Sequence, residues 1–166
     1  MGTIYTAGYG SISIDLFFSL LKRQKIKILI DIRSRPYSKS RPEYRKQALE
    51  KFAGKEGIEY RFLGDKLGGR PNDGAYYHSD GSVKYQLLRK SPAYKEGIAE
   101  LVALAETSDL CIMCAESLPQ RCHRGFLVSE TLYRMGIETR HILHEGRLIE
   151  HGKLRHEFKA GQIDLL

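Results

Sequence analysis

Short apolar runs alternate along the chain with longer segments in which apolar residues recur every three to four positions. The apolar runs predict five strands, within residues 3–10, 26–34, 58–64, 109–116 and 137–143. The longer segments predict four helices, within residues 13–24, 41–57, 91–107 and about 119–135. This alternation predicts an α/β fold, a three-layer α/β/α domain with a mainly parallel sheet of about five strands.

Capping residues indicate where several of these helices begin and end. Ser13 can cap the first helix, and Ser91 followed by Pro92 can cap the third. Pro119 suits the first turn of the fourth helix, and Gly136 suits the position just past its end. Both ends of the fourth helix are therefore predicted from local signals.

The 166 residues and the 42% hydrophobic content predict a single domain over residues 1–166. Residues 64–90 are rich in glycine and lack periodicity, which predicts a long loop of the kind that forms lids and binding loops. Residues 144–166 are predicted to form a tail with short strand-like pieces. Its histidines, His144, His151 and His156, are expected at the surface.

The sequence favours a cytoplasmic protein. No apolar run approaches the roughly 18 residues of a membrane span, and the first residues do not resemble a signal peptide. Three cysteines without an export signal predict a reducing compartment and no obligatory disulfide. We therefore expect no membrane partner, while the oligomeric state stays open.

Positive charge is concentrated in the first half of the chain. The formal net charge is +7, and residues 1–75, with 15 basic and 8 acidic residues, account for all of it. The segment from Arg33 to Arg70 is the most basic part and contains interleaved aromatic residues. Such a segment can attract phosphates and stack bases, although a solvated basic face is an alternative interpretation.

The stretch between the fourth predicted strand and the fourth predicted helix carries the strongest functional signal. It holds two thiols, a carboxylate, an imidazole and two guanidinium groups: Cys114, Glu116, Arg121, Cys122, His123 and Arg124. Basic residues are disfavoured at a helix N-terminus, where the backbone already presents positive charge. Their accumulation predicts a bound anion such as phosphate, carboxylate or sulfate.

The same surroundings predict reactive cysteines. A thiol beside arginines and a helix N-terminus has a lowered pKa, so Cys114 or Cys122 is predicted to be a nucleophilic thiolate. Glu116 and His123 are predicted to transfer protons. Burial as ordinary apolar side chains is the alternative for both cysteines, and it is the preferred interpretation for Cys111.

Polar residues that follow different predicted strands are expected to meet these groups. Ligands of parallel sheets bind beyond the carboxyl ends of the strands, so the residues after each strand should converge in one cleft. The predicted anion- and substrate-binding residues are Gly8, Asp31, Arg33, Arg35, Lys66, Gly68, Gly69, Arg70, Arg121 and Arg124. Asp31 is expected to orient an arginine or a substrate hydroxyl.

Two cofactor motifs are incomplete. Ser13 stands where a dinucleotide fingerprint needs its third glycine, so no nicotinamide or flavin is predicted. The Cys-Ala-Glu sequence is shared with zinc deaminases, but the PCxxC pair of those enzymes is missing. No cofactor and no metal are predicted, although Cys114, Cys122 and His123 remain an alternative set of three metal ligands.

Two functions from different classes are open. The first is an enzyme, a cysteine-dependent transferase or hydrolase acting on a phosphate-bearing substrate such as a nucleotide or nucleic-acid component. The second is a non-catalytic nucleic-acid or nucleotide binder that uses the basic first half and weakens steeply with salt. Either way, the expected partner is an anionic small molecule or a nucleic-acid component.

Four longer motifs and a shorter one occur in order: TAGYGS, LIDIRSRPYSKSRPEYRK, YRFLGDKLGGR, CAESLPQRCHRGFLVSETLYRMG and RHI. In these motifs the chain resembles the DUF488 family of uncharacterised bacterial and archaeal proteins. The resemblance extends to about His141 and implies an α/β domain, but no reaction and no cofactor. Its motif positions correspond here to Gly8, Asp31, Arg33, Arg35, Leu67, Gly68, Gly69, Cys114, Glu116, Cys122, His123 and Arg124.

Overall fold

A six-stranded sheet forms the centre of the computed structural model, which describes residues 1–158. The strands are β1 (Ile4–Gly8), β2 (Ile28–Asp31), β3 (Glu59–Phe62), β4 (Leu110–Cys114), β5 (Thr139–Ile142) and β6 (Leu148–Glu150). They lie in the order β3-β2-β4-β1-β5-β6. The first five strands are parallel to their neighbours, and β6 pairs antiparallel with β5.

Helices of three kinds connect the strands. The α-helices of the described part are α1 (Ile14–Arg23), α2 (Lys46–Lys55), α3 (Gly64–Leu67), α4 (Tyr85–Lys90), α5 (Pro92–Ala105), α6 (Glu130–Arg134) and α7 (His151–Leu154). Short 3-10 helices lie at Pro42–Tyr44, Gly74–Tyr76, Pro119–Arg121 and Arg155–Glu157. A π-helix, Arg124–Ser129, runs directly into α6.

Two apolar cores lie on opposite faces of the sheet, because alternate strand residues point to opposite sides. Ile28 and Ile30 of β2 belong to a core completed by α5 and the π-helix. Leu29, between them, belongs to a second core completed by α1 and α2. The predicted three-layer α/β/α arrangement with a mainly parallel sheet is therefore confirmed.

The sheet has six strands rather than about five. The additional strand, β6, is three residues long and lies in the predicted tail. Gly146 adopts a φ of +88°, a conformation that favours glycine, and reverses the chain after β5. Leu148 can then pair with Ile142. A strand this short has too few residues to show a hydrophobic period.

Local capping signals were good predictors of where two helices begin. The Ser13 side chain accepts a hydrogen bond from the Leu16 backbone N–H at the start of α1. Ser91 does the same for Tyr94 at the start of α5, with Pro92 at the first helical position. Both side chains occupy backbone donors that would otherwise lack a partner in the first turn.

Two predicted helices begin later than expected. The segment 41–57 forms a 3-10 turn, becomes extended at Arg45, and only then enters α2. Similarly, Pro119–Arg121 is a 3-10 turn followed by extended Cys122, and the π-helix starts at Arg124. In the second case the extended residue, Cys122, lines the cleft described below.

Other parts of the sequence analysis need correction. The predicted loop at 64–90 contains α3, α4 and a 3-10 turn. His151 is fully buried, so its predicted surface position is wrong. His144 is half-buried and His156 is exposed. Across residues 1–158, no helix has the length and apolar character needed to cross a membrane.

Candidate active site

A cleft of about 340 Å³ opens at the carboxyl ends of β1, β2 and β4. This edge of a parallel sheet is the usual ligand-binding edge, and the volume is that of a small-molecule site. Its lining residues come from separate segments of the chain: Tyr9, Arg33, Ser34, Arg35, Tyr37, Gly69, Arg70, Tyr85, Cys114, Ala115, Glu116, Arg121, Cys122, His123 and Phe126. Residues far apart in the sequence therefore meet here.

A sulfur–imidazole cluster, consisting of Cys114, Cys122 and His123, forms the buried wall of this cleft. Cys114 ends β4, whereas Cys122 and His123 directly precede the π-helix. The Sγ atom of each cysteine lies 3.8 Å from Nδ1 of His123. All three ligand atoms lie within 4.8 Å of one another. The cluster can therefore share a proton or hold a metal ion.

A backbone contact determines which nitrogen of His123 carries a proton in the neutral ring. Nε2 lies 3.1 Å from the carbonyl oxygen of Ile32, which can only accept a hydrogen bond. Nε2 must therefore donate, which leaves the lone pair of Nδ1 directed at the two sulfur atoms. Nδ1 can act as a base for a thiol or as a ligand for a cation.

The two thiols of the cluster have opposite pKa shifts. The hydrogen bond to Cys122, together with burial, raises the pKa of Cys114 well above its ordinary value. Burial alone would raise the pKa of Cys122, but the hydrogen bond from Cys114 and the charge of Arg124 hold it well below that value. Cys111 is fully buried outside the cluster, and burial raises its pKa.

The backbone donors at the start of the π-helix are occupied by Cys122. The Arg124 N–H donates to Cys122 Sγ at 3.4 Å. The N–H groups of Gly125 and Phe126 donate to the Cys122 carbonyl oxygen at 2.9 and 3.2 Å. The backbone N–H groups of Arg124, Gly125 and Phe126 are therefore not free to bind an external anion in the cleft.

Arg124 is fully buried behind the cleft and does not line it. Its guanidinium donates to the carbonyl oxygens of Glu116 and Ser117, the latter at 2.9 Å. A Cβ atom on Gly8 would collide with the Glu116 carbonyl, so only glycine at this position lets the loop approach β1. Gly8 and Arg124 therefore shape the loop that carries Glu116, and neither residue lines the cleft.

Arg33 reaches the cleft, but its charge is already compensated. Its Nε and Nη2 atoms donate to the two carboxylate oxygens of Asp31 at 2.9 and 2.8 Å. The Tyr60 hydroxyl donates to the same carboxylate at 2.7 Å. Burial alone would lower the pKa of Arg33, but the hydrogen bonds and charge of Asp31 raise it above its ordinary value. Asp31 is fully buried and orients an arginine, as one of the two roles considered for it requires.

Three other cleft arginines are uncompensated. Arg35, Arg70 and Arg121 are exposed, and no carboxylate of the described chain forms an ion pair with them. Glu116, also exposed, is the carboxylate among the lining residues. The cleft thus carries an excess of positive charge at its mouth.

Lys66 and Gly68 do not line the cleft, whereas Gly69 does. The Lys66 ammonium forms ion pairs with Glu96 and Glu100 of α5 at 2.7 and 2.9 Å, and it does not line the cleft. Gly68 packs against Ser34, and Gly69 packs against the ring of His123, where a Cβ atom would lie 2.6 Å from Cγ. Gly69 therefore makes room for the imidazole.

A second polar cluster, the buried histidine chain, runs from Arg124 to Glu130 through Thr6, His141 and His151. The Glu130 carboxylate accepts from His151 Nε2, and His151 Nδ1 lies 3.1 Å from His141 Nε2. His141 Nδ1 lies 2.7 Å from the Thr6 hydroxyl, which accepts from Arg124 Nε. Because a carboxylate only accepts, each imidazole must donate toward Glu130.

Burial keeps the imidazoles of His141 and His151 in the buried histidine chain neutral. It lowers the pKa of His141, with the charge of Arg124 acting in the same direction, and it lowers the pKa of His151 against the opposing effect of Glu130. Burial alone would raise the pKa of Glu130, but hydrogen bonds from Arg155, Arg134 and His151 lower it to about 2. Each titratable group in the buried histidine chain thus has a hydrogen-bond partner.

The sequence analysis did not identify the aromatic lining of the cleft. Tyr9, Tyr37, Tyr85 and Phe126 all border it. Tyr9 stacks on Tyr44 with ring centroids 3.9 Å apart. Tyr37 did belong to the basic, aromatic segment, but nothing in the sequence indicates that Tyr85, from α4, faces the same opening.

Comparison with known proteins returned one match. The model of the family described as "Domain of unknown function DUF488" matches residues 13–131. This range includes every residue that lines the cleft except Tyr9. The comparisons with curated proteins and with solved structures returned no match.

Proposed function

The chain belongs to the DUF488 family, and because the description of that family names no reaction, we propose a function from the chemistry of the cleft. The protein is an enzyme that binds a phosphate-bearing small molecule, a nucleotide or a related compound, and transfers or hydrolyses a group at the sulfur–imidazole cluster. The observation that carries this proposal is the meeting of three unpaired guanidinium groups with two thiols and an imidazole in one cleft.

The charge of the cleft supports an anionic substrate. Arg35, Arg70 and Arg121 present planar donor groups that match phosphate oxygens in pairs. Protein carboxylates do not neutralise them within the described chain, so a ligand anion is the natural partner. Arg33 is held rigidly by Asp31 and adds a hydrogen-bond donor of fixed direction.

The size and lining of the cleft support a nucleotide rather than a long nucleic acid. A volume of about 340 Å³ accommodates one nucleotide-sized ligand. Tyr37 and Tyr85 offer aromatic faces on which a base can stack. This proposal therefore assigns the phosphate to the arginines and the base to the tyrosines.

The reactive groups lie beside this binding surface. The sulfur–imidazole cluster supplies the reactive centre, and Glu116 transfers protons between the cleft and solvent. Gly8 and Arg124 hold the loop that carries Glu116, which restricts the positions its carboxylate can reach. A preorganised site of this kind is what catalysis requires and simple binding does not.

Turnover of a panel of nucleoside mono-, di- and cyclic phosphates, followed by chromatography, tests the proposal. We expect the wild-type protein to consume at least one of them. Glu116→Gln and Cys122→Ser should each lower the rate by about 100-fold or more, since each removes a reacting group. Cys111→Ser, which changes a buried thiol outside the cluster, is the matched control and should keep the rate.

The non-catalytic alternative predicts the opposite pattern. A short single-stranded oligonucleotide would bind with an affinity that falls steeply with salt and is unaffected by Cys122→Ser. If no nucleotide in the panel is consumed while the oligonucleotide behaves in this way, the protein is a binder and the enzymatic proposal fails.

A further inference from the structure

We propose that Cys114, Cys122 and His123 bind a zinc ion whose fourth coordination position opens into the cleft. The inference rests on the proposed function, because it identifies the group that makes the cluster reactive. Two sulfur donors and one imidazole nitrogen form a ligand set that suits zinc, whereas calcium and magnesium prefer oxygen.

The sulfur–nitrogen distances in the cluster are close to those of a tetrahedral zinc site. Each Sγ atom lies 3.8 Å from Nδ1 of His123, and the three atoms lie within 4.8 Å of one another. Zinc–sulfur and zinc–nitrogen bonds of ordinary length in a tetrahedron separate sulfur from nitrogen by roughly 3.6 Å. A shift of a few tenths of an ångström in the imidazole would bring both sulfur–nitrogen pairs to that separation. The two sulfur atoms, which lie within 4.8 Å of each other, would move to roughly 3.8 Å apart when a zinc ion binds.

The imidazole is oriented as a metal ligand should be. Its Nε2 donates to the Ile32 carbonyl at 3.1 Å, so Nδ1 presents its lone pair to the cluster. Metal-bound histidines usually donate their second ring nitrogen to such an oxygen, which holds the ring in position. Gly69 lies against the ring and leaves no room for it to turn away on that side.

The surroundings of the sulfur atoms support two thiolates bound to one cation. The Arg124 backbone N–H donates to Cys122 Sγ at 3.4 Å, a bond that reduces the charge on a coordinating sulfur. The buried guanidinium of Arg124 adds a positive charge close behind the cluster, with two carbonyl oxygens as its partners. A divalent ion and two thiolates together add no net charge to this buried region, which limits the electrostatic cost of burial.

The openness of the site points to catalytic rather than structural zinc. Structural sites have four protein ligands, whereas catalytic sites have three and leave one position for water or substrate. All three residues of the cluster line the cleft, together with Glu116 and Arg121. An ion here would lie beside the place where the arginines hold an anionic substrate.

Zinc binding can be measured without any activity. Reduced, metal-free protein is titrated with zinc against a chromophoric chelator, and cobalt(II) is added separately to detect sulfur-to-cobalt charge-transfer absorption. We expect one equivalent of zinc per chain and a strong charge-transfer band. Cys114→Ser, Cys122→Ser and His123→Asn should each weaken zinc by more than the 10–100-fold typical of losing an outer partner.

Cys111→Ser is the matched control, because Cys111 lies on β4 close to Cys114 in sequence but outside the cluster. It should keep the zinc affinity of the wild-type protein. Circular dichroism identifies any variant that fails to fold. If the ligand variants do not fold, the cobalt spectrum of the wild-type protein alone tests whether the two thiolates bind a metal. A cobalt spectrum without thiolate bands, or equal weakening by Cys111→Ser and Cys122→Ser, overturns the proposal.

Two results separate this inference from the proposed function. If zinc does not bind but nucleotides are still consumed in a Cys122-dependent reaction, the zinc site is wrong and direct attack by a thiolate replaces it. If one zinc binds but no nucleotide is bound or consumed, the metal site stands and the proposed function fails.

Discussion

The cleft and the buried histidine chain contain the same kinds of group in opposite situations. Both combine imidazole, guanidinium and carboxylate groups. In the buried histidine chain, Glu130 accepts from Arg155 and His151, and the proton positions run in one direction from Arg124. In the cleft, Arg35, Arg70 and Arg121 face solvent without an ion-pair partner from the described residues.

This difference separates a structural role from a binding role. A buried charge must be paired, because an unpaired one has a large desolvation cost. Charges gathered at an opening are instead available to a ligand. Arg124 connects the two regions, since it ends the buried histidine chain and holds the loop that carries Glu116. We therefore expect changes in the buried histidine chain to affect stability, and changes in the cleft to affect binding.

The largest stability effect is expected from Glu130→Gln. The side chain is fully buried and accepts hydrogen bonds from Arg155 at 2.8 and 2.7 Å. Removing the charge of Glu130 leaves the guanidinium of Arg155 without its anionic partner. This loss should lower the free energy of unfolding by about 3 kcal/mol. Denaturant unfolding measures this loss. A loss below about 1 kcal/mol would show that the buried histidine chain is not the structural element described.

The pH dependence of the free energy of unfolding should reveal the titration of the Glu130 carboxylate. The pKa of Glu130 is about 2 in the folded protein, below the ordinary value of 4.5. Its contribution is fully present above pH 4.5 and is lost as the pH falls toward 2. The amount lost is about 3 kcal/mol, because the pKa falls from 4.5 to about 2 and each pKa unit corresponds to about 1.4 kcal/mol. Unfolding of the wild type and of Glu130→Gln, measured from pH 6 to 2, should converge at the acid end; curves that stay parallel contradict the assignment.

Two arginines three positions apart should separate stability from binding. Arg124→Gln removes the hydrogen bonds of a fully buried guanidinium to two carbonyl oxygens and should destabilise the protein by about 2 kcal/mol. Arg121→Gln changes an exposed side chain and should alter stability by less than about 0.5 kcal/mol. For pyrophosphate binding, we expect Arg121→Gln to weaken affinity by about 5–10-fold. A larger loss of stability in Arg121→Gln than in Arg124→Gln would contradict the separate roles assigned to the two arginines.

The smallest substitution, Gly69→Ala, tests how closely the His123 ring packs against Gly69. In Gly69→Ala, the new Cβ atom would lie 2.6 Å from Cγ of the imidazole and displace the ring. We expect about 10-fold weaker zinc binding with a stability loss of only about 1 kcal/mol. Gly74→Ala is the control, because a Cβ atom at Gly74 meets no other atom within 4 Å. Equal zinc affinity in both variants would mean that the ring position is unimportant.

Local features of the sequence predicted much of the fold. The caps at Ser13 and Ser91 involve hydrogen bonds across three residues, so their pattern is visible in the sequence. The apolar runs identified the five parallel strands, and the rule for ligand binding at their carboxyl ends indicated the edge of the sheet at which the cleft opens. The short strand β6 had no comparable signal.

The partners of individual charges depended on contacts distant in sequence. Lys66 was predicted to bind an anionic ligand, but α5 presents Glu96 and Glu100 to it, and those residues come 30 and 34 positions later. His151 was expected at the surface, but Glu130, 21 residues earlier, accepts a hydrogen bond from it in the interior. Sequence patterns identify the type of each group, whereas its neighbours depend on how the helices pack.

Calorimetric titration of inorganic pyrophosphate tests the central claim most directly. One variant carries Arg35→Gln, Arg70→Gln and Arg121→Gln together, and its control carries glutamine at three arginines that do not line the cleft, Arg61, Arg140 and Arg147. Both lose the same net charge. The account predicts that the cleft variant binds pyrophosphate about 100-fold or more weakly than the wild type, while the control stays within about threefold. Equal weakening in the two variants would show that the protein attracts anions only through its overall charge, and would contradict the account.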